Sequence, residues 1–140
     1  MKDINFNDVI FIDTSKSPLI IIKFKKKTIE LEDVKLIKRE ELNAIKNVKT
    51  ASVIIYEASD VEWVTADARL EYIRLIKEQE AFYNQYVRVH YFVLQSKFLK
   101  ILLNTVNRVF KPKIRQMVYN DLTTALKYAE LDKEVIESIV

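Results

Sequence analysis

The residues best placed by type and spacing to do chemistry are Asp33-Val34-Lys35, with Glu30 and Glu32 beside them and Asp13 on an earlier turn. Carboxylates and a lysine on adjacent strands can hold Mg²⁺ and support an attacking water, the chemistry of a metal-dependent nuclease. Two features weigh against it. An acid two residues before a lysine arises easily in a chain with 23 lysines and arginines, and Glu30 and Glu32 alternate as solvent-facing strand residues do. The single histidine, His90, has no cysteine and no second histidine with which to share a metal, and it sits in an apolar stretch that suits a satisfied core or interface histidine rather than a general base.

The chain also has no glycine in 140 residues, where average usage of about 7% leads one to expect roughly ten. Phosphate-cradling loops, dinucleotide fingerprints and nucleophile elbows all need a residue without Cβ, so none occurs here in standard form. The expectation is therefore no catalytic residues, no metal, no cofactor and no enzyme activity. No family resemblance is specific enough to name.

Charge is segregated along the sequence. Ala81 to Asn120 carries seven cations and no acid, so with a whole-chain charge of +3 the remainder is −4. Lys97, Lys100, Asn104, Arg108, Lys111, Lys113 and Arg115 form a basic line that could follow a phosphate backbone, which makes nucleic-acid binding the rival functional reading. The plainer reading is a solvated helix face that meets the acidic stripe of Asp67, Glu71 and Glu78.

These residues must be positioned by a folded chain, since 49% hydrophobic and 31% charged residues describe a globular protein of about one domain. No cysteine is present for disulfides, the first eight residues lack an apolar signal-like core, and no apolar run is long enough to span a membrane. A cytoplasmic or virion setting is expected. Strands are predicted at Val9–Ile12, Leu19–Phe24, Thr28–Leu36 and Ala51–Ala58, the second and third as a hairpin, with a short helix over Lys38–Asn47. Ser59-Asp60-Val61-Glu62 has the capping-box pattern and predicts a helix start. Helical spacing then continues through Trp63, Ala66, Leu70 and Ile73; Ala81–Leu94 is apolar on nearly every side, Ser96–Lys111 is amphipathic, and further helices are expected over Ile114–Ala129 and from Asp132.

An unbroken helix from Glu62 to Phe110 would run roughly 73 Å, against a radius of gyration of about 14 Å for a globule of this length. Either it breaks near Glu80–Gln85, or it projects and its apolar middle meets other subunits. The fold class that follows is α+β: a small antiparallel or mixed sheet of three to four strands and one short helix over residues 1–58, then two to four helices over 59–140, together one cooperative domain. The functional expectation is a non-enzymatic assembly protein, a homo-oligomer joined through Phe82, Tyr86, Val89, Phe92 and Val93. Its concrete form is a structural component of a virus or phage particle, a reading that also leans on the AT-rich coding implied by 17 lysines against 6 arginines.

Overall fold

Short runs rich in isoleucine and valine form the strands of a mixed sheet, and a computed structural model of the chain describes residues 4–48 and 50–139. In chain order the elements are β1 (Ile4–Phe6), β2 (Ile10–Asp13), β3 (Leu19–Phe24), β4 (Thr28–Ile29), α1 (Leu31–Val48) and β5 (Ser52–Glu57). They continue with β6 (Trp63–Val64), α2 (Ala66–Tyr86), β7 (Val87–Val93), α3 (Lys97–Phe110), β8 (Arg115–Tyr119) and α4 (Leu122–Ile139). The α+β class holds, with four helices and a six-stranded sheet in the order β1-β2-β3-β5-β7-β8.

β1, β2 and β3 pair antiparallel, whereas β3, β5, β7 and β8 run parallel. Parallel neighbours need long crossovers, and α1, α2 and α3 supply them in turn. Every residue of β5 is buried, as expected of a central strand covered on both faces. Alternation along the strands divides the core. Ile20, Ile22, Ile54, Tyr56 and Phe92 face α1, α2 and α3, while Leu19, Val53, Ile55, Val89, Tyr91 and Val93 face α4. A second ribbon, β4 beside β6, closes the side covered by α1, α2 and α3 near the carboxyl ends of β5 and β7.

Several expectations are corrected. Residues 28–36 are not a strand hairpinned to β3: only Thr28 and Ile29 are extended, and α1 begins at Leu31, with β3 pairing instead to β2 and β5. The Ser59 capping box does not start a helix, because the Ser59 amide donates to Glu57 Oε1 at 3.0 Å and α2 begins after Thr65. The long helix does break: α2 ends at Tyr86, and Val87–Val93 is the strand β7. Residues 115–119 are likewise extended, and Asp132 lies inside α4 rather than opening a helix. The absence of glycine is met by a lysine. Lys111 takes the left-handed conformation at φ 43° that ends α3, its amide donating to the Asn107 carbonyl at 2.9 Å, and Pro112 follows.

Candidate functional site

The residues of α1 that point at the sheet recur at helical spacing: Val34, Ile37, Lys38, Glu41, Ala44 and Ile45 are all buried. Two of these are charged, and Glu41 is 0% exposed. Burying a carboxylate is tolerable only if it is paired and hydrogen-bonded. Lys38 Nζ lies 3.1 Å from Glu41 Oε1, and the Tyr83 hydroxyl of α2 donates to the same oxygen. The ammonium also lies 4.7 Å from the centre of the Tyr83 ring and 5.2 Å from that of Tyr72, so aromatic faces replace part of its lost hydration.

From the sheet, β5 and β7 add Tyr56 and His90, whose hydroxyl and Nε2 meet at 3.5 Å. Tyr56 also stacks on Phe92 with centroids 5.0 Å apart. One oxygen of the carboxylate, Glu41 Oε2, is buried without a partner at regular hydrogen-bond geometry, although the Tyr56 hydroxyl acts on the carboxylate as a hydrogen-bond donor.

The electrostatics lock the pair in its charged form. Burial alone would raise the Glu41 carboxyl, but the Lys38 ammonium, helped by the Tyr56 and Tyr83 hydroxyls, holds it below its ordinary value. Burial alone would lower Lys38, and the attraction of Glu41 leaves it above its ordinary value. The Glu41 contribution to stability is complete above its unfolded pKa and is lost as pH falls through the lower folded value. The Lys38 contribution is complete below its unfolded pKa and is lost as pH rises through the higher folded value. Tyr56, Tyr72 and Tyr83 are raised, chiefly by burial, and stay neutral hydroxyls.

His90 behaves differently. Burial lowers its imidazole from 6.5 to about 4, with Glu41 opposing and Lys38 reinforcing the shift. Its stabilising contribution is present above 6.5 and is lost as pH falls from 6.5 to about 4. By linkage the loss amounts to at most about 3 kcal/mol, less as far as the half-buried ring reaches solvent. Urea unfolding at pH 7 and pH 4.5 is expected to show a smaller acid loss for His90→Asn than for the unaltered chain; equal losses would remove His90 as the cause.

Above this polar floor lies a cavity of about 120 Å³ between the sheet and the helices. Ile29, Val61 and Val64 close one end, Phe92 and Leu94 rise from the sheet, and Leu99, Leu102 and Val106 descend from α3. An adjoining chamber of about 80 Å³ shares Lys38, Tyr56, Tyr72 and Val106 and runs toward Asn84, Asn107 and Gln116. At the rim, Arg69 presents its guanidinium 5.5 Å from Trp63 and 5.6 Å from Phe98, two rings that stack 4.3 Å apart. A wider hollow of about 300 Å³ on the opposite face contains Arg88, Arg115 and Asp132, but Asp132 is already engaged by Arg115 at 2.7 Å and by the Tyr91 hydroxyl.

The residues expected to act from the sequence are dispersed. Val89, Phe92 and Val93 are buried in β7, within the sheet, while Phe82 and Tyr86 pack together near the end of α2. Lys97, Lys100, Asn104 and Arg108 do share α3, but Lys111 caps it, Lys113 lies in the following turn and Arg115 is on β8. Lys100 bonds Asn120 Oδ1 at 3.1 Å, and the acidic residues Glu71 and Glu78 bind Arg74 of their own helix rather than this line. Asp33 sits in the first turn of α1, accepting from the Glu30 amide at 2.8 Å and Lys26 Nζ at 2.7 Å, while Asp13 accepts from the Ser15 amide at 2.9 Å. Those carboxylates serve the ends of elements, and among the described residues no cluster of three or more histidines and acids could hold a metal.

No protein-family model and no curated protein matches this chain. Its fold resembles that of an uncharacterised protein of the DUF3478 family, with a SpoIIAA-like fold, from Shewanella loihica PV-4. The TM-score is 0.63 at 14% identity, with 92% of this chain and 98% of that chain covered. At that identity the likeness shows the fold alone.

The reading of a virus or phage structural component, self-associating through an apolar helix at Phe82–Leu94, is overturned. Most of that segment is the interior strand β7, and the solved structure of like fold, an uncharacterised protein with a SpoIIAA-like fold, gives no support to a role in particle assembly. The virion setting falls with it. No helix among the described residues is long and apolar enough to cross a membrane.

Proposed function

We propose that this chain is a small-molecule-binding protein, not an enzyme, and that its ligand sits between the sheet and α1, α2 and α3. The observation that carries this reading is the apolar cavity of about 120 Å³ with a charged, hydrogen-bonded floor. Pockets for small ligands combine an apolar wall with a few placed polar groups, as this one does. An apolar cavity of about 150 Å³ is enough to bind benzene, so the ligand or the part of it that enters is of that order of size. The absence of catalysis is supported by the titrations. A general base works best with a pKa near the operating pH, whereas Lys38 and Glu41 are held charged and His90 is lowered to about 4.

Benzene is a suitable first probe because it tests the cavity without presuming a polar contact. At ten times its dissociation constant, binding to the folded state alone adds about 1.4 kcal/mol, or roughly 5 °C in Tm for a domain of this size. A concentration-dependent rise in Tm is expected. A flat response up to the solubility limit of benzene counts against an interior site.

A further inference from the structure

Within that binding reading, on which this inference rests, we infer that the ligand carries a neutral hydrogen-bond donor, an apolar alcohol or phenol, delivered to Glu41 Oε2. Glu41 lines the cavity, is 0% exposed, and has one carboxylate oxygen engaged by Lys38 and Tyr83 while the other has no partner at regular hydrogen-bond geometry, the Tyr56 hydroxyl being the one further protein group that acts on the carboxylate as a donor. An ionised carboxylate oxygen left unpaired in the interior is among the costlier polar defects, and a donor from a ligand removes it.

The charge of the donor follows from what surrounds it. A carboxylate ligand would bring a second negative charge against Glu41. An ammonium would place a second positive charge beside Lys38, whose Nζ is 3.1 Å from the other oxygen of the same carboxylate. A hydroxyl meets neither repulsion, and the cavity wall made by Val61 and by Leu99 and Val106 of α3 offers only apolar contact to the rest of the molecule. Arg69 at the rim also has an unpartnered Nε and would favour an acid. Its demand is the weaker of the two, because Arg69 is half-buried and its guanidinium already rests against Trp63 and Phe98, whereas Glu41 has no access to solvent.

Four probes of one ring size separate the possibilities on the unaltered protein: benzene, phenol, benzoate and benzylamine, titrated by calorimetry at pH 7. A hydrogen bond to a charged group adds enough for phenol to bind at least about tenfold more tightly than benzene. Benzoate and benzylamine are expected at least tenfold weaker than phenol. Equal affinities for benzene and phenol would overturn the assignment while leaving the cavity reading intact, as if water satisfied Oε2. Tightest binding of benzoate would overturn it in favour of Arg69, and tightest binding of benzylamine would show that Lys38 does not exclude a cation. Failure of all four to bind would overturn the cavity reading itself.

Discussion

Replacing Glu41 by leucine is expected to cost about 3–5 kcal/mol of folding stability, the range for removing one partner of a buried ion pair. The Lys38 ammonium would remain in the interior with only the Tyr83 hydroxyl and two ring faces beside it. The Tyr83 hydroxyl would in turn lose its acceptor. The double variant Lys38→Met, Glu41→Leu separates the cost of an orphaned charge from the worth of the pair, since apolar replacement of a whole buried pair is often neutral. Urea midpoints at pH 7 with unchanged slopes should therefore fall far for the single variant and recover most of the way for the double. A single variant as stable as the unaltered chain would show that the pair is not buried as described.

Ala129→Arg in α4 is the second large effect. α4 alone among the described helices covers the sheet face of Leu19, Val53, Ile55, Val89, Tyr91 and Val93, and it approaches closely because Ala125 and Ala129 are both 0% exposed. An arginine there must either bury its charge against an apolar sheet or lift the helix, and either outcome costs on the order of 3–5 kcal/mol. Ala129→Ser, nearly isosteric, is expected to cost far less. Comparable midpoints for the Arg and Ser variants would contradict the packing of α4 on this face.

Much of the fold was legible along the chain, and its errors have a common physical origin. The apolar runs at Val9–Ile12, Leu19–Phe24 and Ala51–Ala58 announce β2, β3 and β5, and the amphipathic spacing from Ser96 announces α3. The end of α2 falls where the polar stripe loses phase, next to Glu80–Gln85. β7 was hidden because a central parallel strand is covered on both faces, so Val89, Tyr91 and Val93 and the intervening His90 and Phe92 give no clean alternation. With neither glycine nor proline at Tyr86-Val87, no local punctuation marks the switch from helix to strand.

The site was harder to see. Ile29, Leu31, Val34 and Leu36 mimic strand alternation, and the true helical stripe of α1 is interrupted by Lys38 and Glu41. Reading that stripe requires accepting charged residues on the buried face, which burial statistics argue against unless they are paired. A lysine and a glutamate three apart, both on the inward side of a helix, was the available signal. What could not be read was the meeting of that pair with Tyr83, 42 residues later, and with Tyr56 and His90 across the sheet.

The central claim, an interior binding site between the sheet and three helices, is tested most directly by methyl-resolved NMR of the protein titrated with benzene. Shifts are predicted at Val61, Leu99, Leu102 and Val106, which line the cavity, with little change at Leu131 and Val135, which are exposed on α4. Shifts confined to the exposed methyls, or none at millimolar benzene, would contradict it.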